Sequence, residues 1–111
     1  MTPKEVDEAV YSTLCESGLR GTKVAWPLGK APALPWFTYK RLKKGELFAD
    51  DRNYAKMQRY QVDLYQSDLD DEVVDRLEES LGRIGPYAAN EVWNAVENCW
   101  ITSYTLTYHP E

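Results

Sequence analysis

The side chains that could carry chemistry in this 111-residue chain are few and scattered. His109 is the only histidine and sits beside Pro110 near the chain end. A catalytic histidine needs an orienting partner and a pocket, and a chain end supplies neither readily. Two acidic clusters, Asp50-Asp51 and Asp68-Asp70-Asp71, raise the question of a cation. Neither fits an EF-hand loop, which needs Gly at the sixth position and a bidentate Glu at the twelfth. Cys15 is a possible nucleophile that no neighbour in sequence activates. With Cys99 it is too little for a disulfide framework, and the spacing matches no metal motif, so both read as small buried residues in a reducing compartment. Gly18-Leu19-Arg20-Gly21 lacks the Lys-Ser/Thr ending and the preceding strand of a phosphate loop. No catalytic, cofactor-binding or metal site emerges, and the expectation is a protein that is not an enzyme. One charged group holds functional promise: Lys40, Arg41, Lys43 and Lys44. At a hairpin tip they could meet an acidic neighbour or face passing DNA. The same lysines would equally well protect an edge strand from unwanted pairing.

The elements that must position these groups follow from periodicity. Thr2-Pro3-Lys4-Glu5 has a cap, a proline for the first helical position and a Glu three residues after the cap. Val6, Ala9, Val10 and Leu14 then recur at helical spacing until Gly18, which predicts a helix over residues 3–17. Thr22 to Trp26 reads as a short strand. Prolines at 27, 32 and 35 make the next stretch a stiff, extended loop. Trp36 to Leu42 alternates, with Phe37 and Tyr39 on one side and Trp36, Thr38 and Lys40 on the other. Lys43 to Glu46 reads as a turn, and Phe48 to Tyr54 as a polar connection. The strand from about Ala55 to Gln66 returns with Tyr60, Val62 and Leu64 on one face. Together these predict a long hairpin whose connecting segment projects from the domain.

A second helix is predicted over Leu69 to Leu81, with an apolar stripe of Leu69, Val73, Leu77 and Leu81 widened by Val74 and Ile84. Its first turn is crowded by Asp68, Asp70, Asp71 and Glu72, where carboxylates meet unpaired amides and the helix dipole. Capping therefore accounts for this acidic cluster without a metal. Over Tyr87 to Val96, the spacing of Val92, Trp93 and Val96 would fit a short helix, but Pro86-Tyr87 after a glycine reads as a strand entry, so a strand or an irregular edge is favoured. Trp100 to Tyr108 is a final strand, with Trp100, Thr102, Tyr104, Leu106 and Tyr108 on one face. The fold class is α+β: a mainly antiparallel sheet of about four to five strands, with two helices packed on it.

The bulk numbers fit one globular domain over residues 1–111. No signal peptide precedes the first helix, and no apolar run approaches the roughly 20 residues needed to cross a bilayer, so a cytoplasmic protein without membrane contact is expected. Eight Tyr and four Trp exceed what a small core needs and suit contact surfaces or strands. The net charge of −5 argues against general nucleic-acid binding. That charge is unevenly spread, with +3 over residues 1–66 and −8 over residues 67–111. Opposite halves suit head-to-tail association of identical copies, or reflect no more than a solvated acidic helix and a basic hairpin.

In this order the segments resemble the tail-terminator, or tail-completion, proteins of long-tailed bacteriophages and prophages. The resemblance rests on the N-terminal helix and the proline-rich stretch leading into Trp36-Phe37-Thr38-Tyr39. Phe48-Ala49-Asp50-Asp51-Arg52-Asn53-Tyr54 is similar to that family's F-A-D-N-x-N-Y turn. Arg59-Tyr60-Gln61-Val62-Asp63-Leu64-Tyr65 is similar to its Y-x-V-E-L-Y strand. The acidic helix with Glu78-Glu79 and a last strand alternating Tyr and Thr complete it. The likeness covers most of the length, strongest over residues 48–81 and weakest over 86–97, and each motif is short.

The resemblance implies a ring, usually hexameric, at the head-proximal end of the tail tube in the virion. Such a ring is assembled in the host cytoplasm, ends tube polymerisation and presents a docking surface to a head-completion or neck protein. It implies three partners: other copies of the chain, the tube protein and the neck protein. DNA would pass through without sequence-specific binding, and no cofactor is implied. Lys40, Arg41, Lys43, Lys44, Phe48, Asp50, Asp51 and Tyr54 are then the expected interface residues. Two alternatives stand beside it: a head-side neck protein of the same kind of particle, and a prophage-encoded protein-binding module.

Overall fold

Runs of period-two alternation become neighbouring strands of one sheet. The computed structural model describes residues 3–26, 32–42, 58–96 and 98–108. They form α1 (Pro3–Cys15), β1 (Arg20–Lys23), β2 (Trp36–Arg41), β3 (Gln58–Gln66), α2 (Asp71–Ile84), β4 (Tyr87–Asn94) and β5 (Cys99–Tyr108). The fold is α+β, with strand order β1-β2-β3-β5-β4. Three of the pairings are antiparallel; β1 alone runs parallel to β2. A parallel neighbour needs a return path of about a dozen residues. Residues 24–35, three of them proline, separate the two strands in sequence.

Both helices lie on one face of the sheet. Phe37, Tyr39, Tyr60, Val62, Leu64, Tyr104 and Leu106 meet Val6, Val10 and Leu14 of α1 and Val73, Leu77 and Leu81 of α2 in one buried cluster. The sheet's share is laid out in rows, because Tyr39 stands opposite Val62 and Val62 opposite Tyr104. Each such side chain contributes about 1.5–3 kcal/mol on burial. Arg83 of α2 is also tied to Glu16, the residue after α1, by an ion pair of 3.0 Å.

Several boundaries differ from the sequence expectation, each for a local reason. α1 ends at Cys15 and not at residue 17, since Ser17 turns its hydroxyl onto the Leu14 carbonyl at 2.7 Å and Gly18 takes φ +87°. β1 spans Arg20–Lys23 and not Thr22–Trp26. Val24 adopts φ +67° and the Ala25 N–H donates to the Lys23 carbonyl at 2.8 Å, so the strand stops there.

α2 starts later and ends later than the stripe implied. Asp70 is its N-cap, accepting from the Glu72 N–H at 3.0 Å, so Leu69 falls outside the helix and is 41% exposed. At the other end the Gly85 N–H donates to the Leu81 carbonyl, which keeps Ile84 helical. A Cβ on Gly85 would come within 2.0 Å of the Thr107 oxygen, so only glycine lets α2 pass directly into β4.

Of the 87–96 stretch, ambiguous in sequence, Tyr87–Asn94 is a strand paired along its length with β5, and residues 95–96 belong to the turn that follows. The antiparallel β2–β3 pairing of the expected hairpin is present. Its connecting segment, residues 43–57, and with it the expected projection, lies outside the described residues, as do His109 and the Thr2 cap. No helix among the described residues is long and apolar enough to cross a membrane.

Candidate functional site

Alternation along β2 separates the basic residues grouped by sequence. Lys40 is exposed on the face without helices. Arg41 points to the helix side, where its Nη1 stands 3.5 Å from Asp7 Oδ1. Asp7 lies in α1 beside the apolar stripe and is buried. Three strands converge on it. The Lys23 ammonium of β1 donates to Oδ2 at 2.9 Å, the Tyr60 hydroxyl of β3 donates to Oδ1 at 2.5 Å, and Arg41 of β2 supplies a second positive charge.

Burial pushes the Asp7 carboxyl up, but the bonds from Lys23 and Tyr60 and the charges of Arg41 and Lys23 outweigh it. The group is held below its ordinary value. Burial, then the Asp7 contact, pushes the Tyr60 hydroxyl far above its usual range, so it remains a donor. All of its partners are fixed by the fold, and this cluster is a structural clasp. Arg41 therefore belongs to the fold and Lys40 to the surface. Lys43, Lys44, Phe48, Asp50, Asp51 and Tyr54, the remaining expected interface residues, lie outside the described residues.

The sheet face opposite the helices presents a different arrangement. Trp36, Tyr65, Ile101 and Val92 occupy directly opposed positions on four successive strands, making one apolar row across the sheet. Trp36 and Tyr65 have ring centroids 4.4 Å apart, and Trp26 meets Trp36 edge-on at 5.8 Å. The indole N–H groups of Trp26 and Trp36 are buried without an acceptor among the described residues. The neighbouring row is polar, formed by Thr38, Asp63, Ser103 and Asn90. The face is thus banded, aromatic at one end and hydrophilic at the other. No element among the described residues packs over it.

Near the start of β1, Gly18, Leu19, Arg20, Pro32, Pro35 and Arg76 line an open cleft of about 410 Å³. Neither guanidinium has an acidic partner among the described residues. No three His, Cys, Asp or Glu side chains among the described residues are grouped to hold a metal. Asp70 of the acidic cluster is occupied as a helix cap. A banded aromatic surface and guanidinium groups without an acidic partner among the described residues suit contact between macromolecules. No family model matches the sequence, and no characterised protein matches it significantly.

The aromatic row escapes sequence reading for a stateable reason. Tyr65 and Ile101 break the polar side of their strands' alternation, which is a visible signal. Their alignment with Trp36 and Val92 depends on strand order and register, which the sequence does not encode locally.

Proposed function

We propose that this protein is a structural component of a long-tailed phage particle that forms a ring at the head-proximal end of the tail tube. The ring ends tube polymerisation and presents the surface on which a head-completion protein docks. The order of motifs from Trp36 to the last strand suggests this role. The observation that carries it is the sheet face opposite the helices, over which no element among the described residues packs and where Trp36, Tyr65, Ile101 and Val92 form a continuous apolar row. An aromatic band with a polar border is the composition of a protein contact. The split of charge between the two halves of the chain favours copies meeting head to tail, the geometry that closes rings. Net negative charge suits a conduit that DNA passes without being gripped.

Removal of the gene from its phage or prophage tests the reading directly by electron microscopy of the particles. Abnormally long tails are the expected result. Normal-length tails left unattached to heads would move the protein to the neck. Unchanged particles would overturn both readings and leave a binding module. In vitro, the purified chain should cap growing tubes of tail-tube protein. Replacing Lys40, Lys43 and Lys44 with Ser, with Arg41 kept in place to hold Asp7, should weaken that capping, most at low salt, where charge contacts are least screened.

A further inference from the structure

The outer edge of β4 has no partner strand among the described residues, and its hydrogen-bonding pattern can be read residue by residue. In an antiparallel pair, opposed residues alternate between exchanging both backbone bonds and exchanging none. The Thr107 N–H donates to the Pro86 carbonyl at 3.0 Å, and the register Tyr87↔Leu106 makes Pro86 and Thr107 opposed. Bonded pairs therefore continue at Ala88/Thr105, Asn90/Ser103 and Val92/Ile101. Tyr87, Ala89, Glu91 and Trp93 consequently aim their N–H and C=O groups away from the sheet. β4 is also exposed on both faces along almost its whole length. It carries no Lys, Arg or Pro, the residues that usually protect an edge.

The opposite edge does not offer a match. β1 has four residues, two of them Arg20 and Lys23, and its Gly21 carbonyl already accepts the Tyr11 hydroxyl at 3.2 Å. It is too short and too occupied to satisfy four outward-facing residues of β4. The strand that does match β4 is β4 itself.

We infer that two copies of this chain pair β4 with β4 about a two-fold axis, joining their five-stranded sheets into one of ten strands. This pairing is independent of the tail reading above. Opposed residues must share a face, and outward-bonding residues must meet outward-bonding residues. With Asn90 facing its own copy on the axis, Tyr87 stands opposite Trp93 and Ala89 opposite Glu91. Ala88 and Val92 meet on the other face. Every outward backbone group of Tyr87, Ala89, Glu91 and Trp93 is then bonded. Shifting the axis to Glu91 sets two carboxylates against each other and leaves Tyr87 unpaired. Shifting it to Ala89 leaves Trp93 unpaired.

The arrangement also accommodates the helices. Two β4 strands between the β5 strands set them about 14 Å apart at the usual strand spacing. That is room for two α2 helices, each about 10 Å wide, and the exposed rings of Tyr87 and Trp93 would be covered between them.

Sedimentation of the purified chain should show a dimer that dissociates on dilution. Ala89→Pro removes one outward donor and leaves the β4–β5 ladder intact, since proline is tolerated where an edge N–H faces solvent. It should weaken the dimer at least tenfold with an unchanged circular dichroism spectrum. Asn90→Cys should cross-link two copies under mild oxidation, because unbonded antiparallel pairs lie about 4.5 Å apart at Cα, within disulfide reach. Glu91→Cys should not. A monomer at all concentrations, a dimer indifferent to Ala89→Pro, or cross-linking through Glu91→Cys in place of Asn90→Cys would each overturn the pairing. A ring whose mass Ala89→Pro leaves unchanged would also overturn it, with the tail reading intact.

Discussion

The two edges of the sheet were solved by opposite means. At β1 the chain closes its own edge. The strand is short, its Gly21 carbonyl is taken by Tyr11, and Lys23 and Arg41 are drawn onto Asp7. A Cβ on Gly21 would fall 2.1 Å from the Phe37 ring, so the strand is pressed directly against the core. At β4 the chain does none of this. The strand is twice as long, lies beyond the helices, and carries Val92 at 49% and Trp93 at 43% exposure. Beyond it, Val96 in the turn to β5 is 95% exposed. A protein that spends a buried ion cluster on one edge and leaves the other apolar and open has one edge for itself and one for contact.

The largest effect is expected in the core that the helices and the sheet share. Leu77→Ala should cost about 2–5 kcal/mol, since Leu77 is fully buried between α2 and the sheet. An unchanged melting temperature would show that α2 is not the lid assigned to it. Asp7→Asn should cost about 2–3 kcal/mol, because Lys23 and Arg41 lose their counter-charge and Tyr60 its charged acceptor.

The pH dependence sharpens the same point. The Asp7 carboxyl is depressed in the folded state, so its contribution is fully present above the ordinary carboxylate value, about 3.9. It is lost as pH falls through the lower folded value. Stability curves of wild type and Asp7→Asn should therefore run parallel near neutrality and converge in acid. Curves that stay parallel at low pH would remove the clasp.

Gly21→Ala should cost about 1–3 kcal/mol by displacing Phe37, measured by denaturant unfolding. The smallest effect belongs to the open edge. Trp93→Ala should change the stability of the isolated chain by less than about 1 kcal/mol, since its ring is half exposed and meets only Trp100 among aromatic neighbours. A large loss in dilute solution would place Trp93 in the fold and not in a contact.

Legibility in the sequence followed the same division. Arg59–Tyr65 and Trp100–Tyr108 assign their buried faces correctly, because one-sided burial writes itself as period two. The stripe Val73, Leu77, Leu81 does so at helical spacing. YAANEVWN shows neither period, because β4 is exposed on both faces along almost its whole length, and such a strand leaves no pattern to read. The basic cluster was misleading in a different way. Lys40 and Arg41 are adjacent in the chain and point to opposite faces of β2, one to solvent and one to Asp7.

Local pattern was enough to determine the α+β class, the antiparallel β2–β3 hairpin pairing, the capped acidic helix and the inward side of three strands, since each depends on neighbours a few residues away. Strand order, the parallel docking of β1, the Asp7 clasp and the row from Trp36 to Val92 had to await the tertiary structure. These join positions tens of residues apart, and no short-range period records which strands become neighbours or which edge is left open.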